Sequence, residues 1–385
     1  MKCLKLNYYL PKVAAFIHNF FVSLKRSYYS NIPFKGISTI TMLRGRLISG
    51  LRCTLTGFER NCPNGLFLSK NLKNYQIRIL SNQINKLRRY TDLATLKPLA
   101  HTGLLNPWFV TGFSDGESSF YIGIIKSDKS KLGFYVLPCF QINIHKKDLD
   151  LLKSLKSFWG VGKIYTQKES CSYFVNSLKD LTIIVQHFED YPLITQKLAD
   201  FKLFKQAIDL ISRKEHITLA GLQKIAAIKA SLNWGLSEEL MIAFPNTIPV
   251  QRPLLPHTEG NIPNSCWLVG FTEAEGCFSV ILNESPTAKT GFQVQLRFKL
   301  TQHIKDEKLI RSLVEFFGCG KVYTYKNTVD FKITKLTDFI DKVLPVFREV
   351  SLRGAKAKDW LDFCKAVDIL VKKEHFFVFF TGGFK

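Results

Sequence analysis

The clearest periodicity in this 385-residue chain is strict alternation. In FQVQLRFKLT (292–301), Val294, Leu296, Phe298 and Leu300 fall on one side, and Gln293, Gln295, Arg297, Lys299 and Thr301 on the other. That is the pattern of a strand with one buried face and one wet, basic face. FQINIH (140–145) repeats it, setting Phe140, Ile142 and Ile144 against Gln141, Asn143 and His145. A helical period replaces it in DLDLLKSLKSFWG (148–160) and DEKLIRSLVEFFG (306–318), both amphipathic and both ending on glycine. NPWFVTGFSDG (106–116) starts as a helix does, with an asparagine cap and a first-turn proline. The order predicted is helix, two strands, helix, two strands, helices, an α+β unit (αββαββα) around a four-stranded antiparallel sheet.

That unit occurs twice. GFSDGESSF (112–120) matches GFTEAEGCF (270–278), HKKD (145–148) matches HIKD (303–306), and FWGVGKIYT (158–166) matches FFGCGKVYT (316–324), all offset by 158 residues. KEH at 214–216 returns at 373–375, offset by 159. Ordered matches at nearly one spacing are the mark of a duplicated domain. The pattern predicts repeats over 105–232 and 264–385. A linker over 233–263 joins them, broken by Pro245, Pro249, Pro253, Pro256 and Pro263 and so unable to hold a long helix or central strand.

Charge narrows the partner. The formal net charge is +23, which points to a polyanion, most simply nucleic acid. Nine cysteines without a C-x-x-C pair or Cys/His cluster argue against a zinc module or a disulfide framework. No apolar run reaches the ~18–20 residues of a membrane span, so no membrane role is expected. Residues 1–91 carry sixteen Lys/Arg and one acid, Glu59. This segment, taken as a leader over 1–100, reads either as a mitochondrial transit segment, which is typically acid-poor, or as a poorly ordered extension.

The candidate chemistry lies at the ends of the two repeated helices. Gly112 and Gly116, like Gly270 and Ala274, are four apart on one helical face and would let two backbones approach closely. Pairing the helices there brings Glu117 and Glu275 to a pseudo-two-fold axis, with Asp115 and Glu273 nearby. Such acids oppose the helix dipole and one another. Either they are solvated end residues of a packing motif, or they bind divalent cations. Few, hard oxygen ligands suit Mg²⁺, which takes water and phosphate oxygens as further ligands and supports phosphodiester hydrolysis.

At these residues the sequence resembles the LAGLIDADG homing endonucleases of the single-chain, double-motif type, over about 105–375, with VTGFSDGES and LVGFTEAEG as the two motifs. The resemblance implies two pseudo-symmetric halves whose four-stranded sheets saddle double-stranded DNA in its major groove, in a monomer. It implies that Glu117 and Glu275, with the carbonyls of Gly116 and Ala274, hold Mg²⁺, with Mn²⁺ as the alternative. Asp115 and Glu273 fall on a position that caps and packs the interface. Lys163 and Lys321, which open the third strand of each half, are the candidates for acting on the scissile phosphate. Ser119, Tyr121, Gln141, Asn143, Ser279, Gln293, Gln295, Arg297, Lys299 and Lys332 form the DNA-facing set, since Arg, Lys and Gln can pair with purine edges.

Two departures stand out. Ser118 occupies a place where glycine is usual. Past its KEH, the second copy continues as HFFVFFTGGFK instead of the helical ITLAGLQKIAAIKA of the first, so an active enzyme and a catalytically decayed DNA-binding relative both fit. A second function on the same scaffold is that of an intron maturase with intron RNA as partner, but retention of both glutamates favours the nuclease. Family members of this type are most often encoded in organellar introns, which predicts a mitochondrial location.

Overall fold

A computed structural model describes residues 105–254, 261–288 and 291–374. The leader over 1–100 and the altered C-terminal stretch lie outside the described residues, apart from Lys373 and Glu374. Among the described residues no helix is long and apolar enough to cross a membrane.

The first half runs α1 (Pro107–Glu117), β1 (Ser118–Lys126), β2 (Phe134–His145), α2 (Leu149–Trp159), β3 (Lys163–Thr166), β4 (Ser170–Val175), α3 (Leu178–Asp190), α4 (Lys197–Ser212) and α5 (Leu219–Ala230). A short helix, α6 (Glu238–Ala243), sits in the connecting stretch. The second half runs α7 (Ser265–Glu275), β5 (Gly276–Glu284), β6 (Phe292–His303), α8 (Glu307–Phe317), β7 (Lys321–Thr324), β8 (Thr328–Ile333), a helix α9 over 336–349, and α10 (Lys356–Val371). Each half holds one antiparallel four-stranded sheet, ordered β1-β2-β4-β3 and β5-β6-β8-β7. Their registers agree at the repeat spacing: Phe120 faces Phe140 as Phe278 faces Phe298.

The repeated sequence fragments find their causes here. Glycines 160 and 318 end α2 and α8 in the left-handed conformation, at φ 72° and 59°, where a Cβ is disfavoured. Two residues on, Gly162 and Gly320 lie against the rings of Tyr173 and Phe331, leaving no room for a side chain. Those rings stack in turn on Trp159 and Phe317, at 5.6 and 5.7 Å. In the KEH pair, Lys214 and Lys373 take positive φ (61° and 58°) and turn the chain out of its helix. The change of offset from 158 to 159 is located as well. Helix α3 spans 178–190 in a regular α-helix, whereas α9 carries the π-helical turn Phe339–Val343. One extra residue is absorbed as a π turn, so both ends of the helix keep their places. Phe188 and its counterpart Phe347, 159 residues later, meet the same core pairs, Phe120/Phe140 and Phe278/Phe298.

The halves meet through α1 and α7, capped by Asn106 and Asn264, whose side chains accept from Trp108 N and Trp267 N at 2.9 and 3.0 Å. A Cβ on Gly112 would stand 2.0 Å from the carbonyl oxygen of Trp267, and one on Gly270 would stand 2.1 Å from that of Phe109. The backbones are in contact, and only glycine fits at either crossing point.

Ser118 is accommodated by a neighbour. A Cβ on its counterpart Gly276 would run into Cγ2 of Thr272 at 2.4 Å. The equivalent of Thr272 is Ser114, which lacks that methyl, and Ser118 donates its hydroxyl to the Ser114 carbonyl at 2.6 Å.

Candidate active site

Side-by-side packing of α1 and α7 brings Glu117 and Glu275 together at their C-terminal ends. The Oε1 of Glu275 would be 3.4 Å from a Cβ placed on Gly116, and Ala274 Cβ only 2.2 Å from it. Burial raises the pKa of Glu117, and the charge of Glu275 raises it further. A cleft of about 700 Å³ opens beside Glu117, with Asn143, Asp148, Ala274 and Lys356 among its walls.

Asp115 and Glu273, two residues earlier in each helix, serve the interior. Asp115 is 4% exposed and accepts from Ile194 N, Thr195 N, the Thr195 hydroxyl and Trp267 Nε1 at 2.6–3.2 Å. Glu273 accepts from Arg353 N at 2.7 Å. Both are raised in pKa chiefly by desolvation. Their oxygens are occupied in holding the turns before α4 and α10.

Those two turns deliver a pair of lysines that the sequence reading missed. Lys197 donates to the carbonyls of Ser114 and Gly116 at 3.0 and 2.8 Å. Lys356 donates to Thr272 and Ala274 at 3.0 and 3.2 Å. Desolvation lowers both pKa values, and the surrounding acids, Glu117 and Glu275 among them, oppose that fall. The signal was present as one more repeat, L-x-x-x-K-x-x-D-aromatic at 193–201 and 352–360. It matches at only four positions and sits beyond the one-residue insertion.

Lys163 and Lys321, by contrast, are not brought to the motif. They open β3 and β7, the strands farthest from β1 and β5 in each sheet, three strand spacings or ~14 Å away. Strand order 1-2-4-3 carries the third strand to the outer edge, where both lysines are exposed.

The outward row of each sheet holds most of the expected DNA-facing residues. Tyr121, Asn143 and Gln293 are exposed, and Ser119, Gln141, Gln295, Arg297 and Lys299 partly so. Ser279 departs from the expected set: it is 0% exposed, standing opposite Arg297 in the register with its hydroxyl 3.3 Å from Cys277 Sγ. Lys332 is also less free than the alternation implies. It bonds Asp330 at 2.8 Å and lies over the rings of Tyr323 and Tyr325. It nevertheless completes a ladder, because Lys299, Lys332 and Lys321 stand directly abreast across β6, β8 and β7. Like charges in register destabilise a sheet unless something anionic answers them.

The sequence profile described as "LAGLIDADG endonuclease" matches residues 110–208 and 268–367, one stretch on each half. The chain belongs to the LAGLIDADG endonucleases. Solved structures of I-SmaMI resemble it closely: one, bound to uncleaved DNA target in the presence of calcium ions, is 42% identical, with a TM-score of 0.68, covering 70% of this chain and 93% of its own. I-CpaMI bound to uncleaved DNA is 41% identical at the same TM-score, covering 70% and 94%. Other I-SmaMI structures carry Lys-to-Ala changes at two lysines, singly and together. Those lysines stand as far apart in that chain as Lys197 and Lys356 do here. The "Probable intron-encoded endonuclease 3" of Neurospora crassa is 38% identical over 333 residues, 84% of this chain. The chain spans 60% of that relative's length and 66% of that of a second, "Probable intron-encoded endonuclease 2".

Proposed function

We propose that the protein is a site-specific endonuclease that hydrolyses both strands of a long, asymmetric DNA duplex. The observation that carries this reading is the convergence of Glu117, Glu275, Lys197 and Lys356 at the junction between two sheets whose outer faces are polar and, in the second half, basic. The halves over 105–232 and 264–385, joined through 233–263, act as one monomer that straddles the duplex.

The donor set suits a hard divalent cation. Two carboxylates meet where burial and mutual repulsion raise the pKa of Glu117, a conflict that a cation relieves. Among the described residues no cluster of three or more His, Cys, Asp or Glu side chains forms a cage, so phosphate oxygens and water would complete the shell, as Mg²⁺ or Mn²⁺ allows. Glu117 and Glu275 would hold the ion, with the second lone pairs of the Gly116 and Ala274 carbonyls available to it. When bound, the cation lowers the pKa of a water and steadies the leaving oxygen. Lys197 and Lys356 supply cationic hydrogen-bond donors beside the scissile phosphates, the role first assigned to Lys163 and Lys321. Burial lowers the pKa of both lysines while the neighbouring acids oppose the fall, and the hydrogen bonds to the motif carbonyls fix where each ammonium group points. Base edges are read by Gln141, Asn143, Gln293, Gln295, Arg297 and Lys299. An intron-encoded, mitochondrial setting is part of this reading, supported by similarity to the protein in ND4 intron 1 of Podospora anserina, 38% identical over 183 residues.

The test is selection of cleaved molecules from a randomised duplex library with Mg²⁺. The expected result is one enriched target of about two half-sites, cut on both strands and untouched with EDTA. Enrichment of no sequence, with tight binding to structured RNA, would replace this reading by the maturase.

A further inference from the structure

The H-x-K-D fragments, repeated at 145–148 and 303–306, have no part in the reading above, yet they reach the other half of the molecule. In each, the histidine folds the turn: His145 Nδ1 accepts from Lys147 N at 3.1 Å, and His303 Nδ1 accepts from Lys305 N at 3.2 Å. The aspartate that follows is thereby aimed across the interface. Asp148 accepts from Ala355 N at 2.5 Å, and Asp306 accepts from Gln196 N at 2.8 Å. These are the residues immediately before Lys356 and Lys197.

Each lysine-bearing helix is therefore started by two carboxylates of different origin. The turn before α4 is held by Asp115 of its own half and Asp306 of the other. The turn before α10 is held by Glu273 of its own half and Asp148 of the other. Fit is tight: a Cβ on Gly354 would be 2.6 Å from Asp148 Oδ1 and 2.7 Å from Glu273 Oε1. Carboxylates at the first turn of a helix fix its free N–H groups and match its dipole. Here they also fix where the next side chain, the lysine, leaves the helix.

We infer that Asp148 and Asp306 are positioning residues that set Lys356 and Lys197 in trans, so that each half orients the lysine of the opposite one. The inference rests on the proposed endonuclease function only for its kinetic consequence. The crossing itself is testable without DNA.

The protein is treated with an acetylating reagent and the labelling of each lysine followed by mass spectrometry. In Asp148→Ala, Lys356 should react roughly tenfold faster, the scale of one lost charge-assisted hydrogen bond, while Lys197 is unchanged. In Asp306→Ala the pattern should invert. Asp148→Asn keeps an acceptor oxygen in place and should stay protected. Asp148→Glu displaces that oxygen by one methylene and should expose Lys356, which serves if the alanine variant does not fold. Equal exposure of both lysines, or exposure of Lys197 by the Asp148 variants, overturns the inference. On a selected duplex, Asp148→Ala should slow nicking of the same strand as Lys356→Ala, through kcat with Kd unchanged. Slowing of the strand governed by Lys197 would likewise sink it. A wild type that cuts nothing would refute the endonuclease reading while leaving the labelling result to decide this one.

Discussion

The two sheets agree in strand order, register and core, and differ on their outer faces. Reading across at the level of the motif ends, the first sheet presents Ser119, Gln141, Phe174 and Lys163, while the second presents Cys277, Lys299, Lys332 and Lys321. One lysine stands against three. A row further on the second sheet adds Arg297, where the first has Cys139. Asn143 and Ser172 are paired at 2.9 Å just where Thr301 and Asp330 are paired at 2.7 Å, with donor and acceptor exchanged. The inward residues are tied by packing to their partners, whereas the outward ones answer to whatever lies in the groove. On the duplex proposed above, two nearly identical scaffolds would meet the two half-sites by different physics, one chiefly through charge and the other chiefly through neutral polar and aromatic groups.

The largest test asks whether this asymmetry stops at the chemistry. Glu117→Gln and Glu275→Gln should each reduce cleavage on the order of 10³-fold or more, with binding in Ca²⁺ nearly intact, measured by nicking and gel-shift assays on the selected duplex. Full activity in either would show that the halves differ in their catalytic centres as well as in their faces. Next in size, Arg297→Ala should lose about 1–3 kcal/mol and relax base preference at one position. Removing Lys299 and Lys321 together should lower the log–log salt slope by roughly two, with Lys332 adding less because Asp330 already pairs with it. Gln141→Ala should alter preference in the other half-site and leave the slope alone. Equal slope changes from both sheets would erase the distinction drawn here.

A smaller difference should appear in acid. His187 is buried beside Thr111, with Nε2 3.2 Å from its hydroxyl, and burial pushes its pKa down to about 4. Its counterpart in the second half is Val346. As pH falls, the unfolded chain takes up this proton first, near 6.5, so the first half should lose stability progressively between pH ~6.5 and ~4, by at most roughly 3 kcal/mol. Asp306, raised to about 6 mainly by burial, acts oppositely, its stabilising effect fading as pH rises from its ordinary value. Comparing wild type with His187→Val by hydrogen exchange over that range isolates the histidine. The expected outcome is a flatter acid limb confined to α1 and α3. The smallest effect on discrimination is expected from deleting residues 1–95. Non-specific affinity should drop, since it follows the phosphates neutralised, but the ratio of target to scrambled duplex should hold in gel-shifts at matched salt.

Much of this was readable before any coordinates. The duplication, the alternating faces and the meeting of Glu117 with Glu275 all come from short-range pattern plus one spacing. What escaped depended on topology. Lys163 and Lys321 became candidates as equivalent lysines opening the third strand of each half, and only the order 1-2-4-3 shows that strand at the rim. Lys197 and Lys356 lie about eighty residues past the motifs they serve, in copies displaced by the π-turn residue. Ser279 shares the outward side with its neighbours, but alternation carries no information on how deeply a short side chain is covered there.

Position 118 has one more consequence. Ser114 with Ser118 and Thr272 with Gly276 are two solutions to one volume, and neither residue can be exchanged between the halves without regard to the other. Putting serine at 276 beside Thr272 forces a collision of side-chain carbon with backbone and methyl. Reducing Thr272 to serine first leaves a methyl-sized hole, which costs only ~1 kcal/mol. Losing the methyl clears the nearer contact only, because the carbonyl oxygen of Thr272 would still lie 2.7 Å from a Cβ at 276. For the second half to come to resemble the first, the methyl has to go and the turn of backbone at the end of α7 has to shift with it.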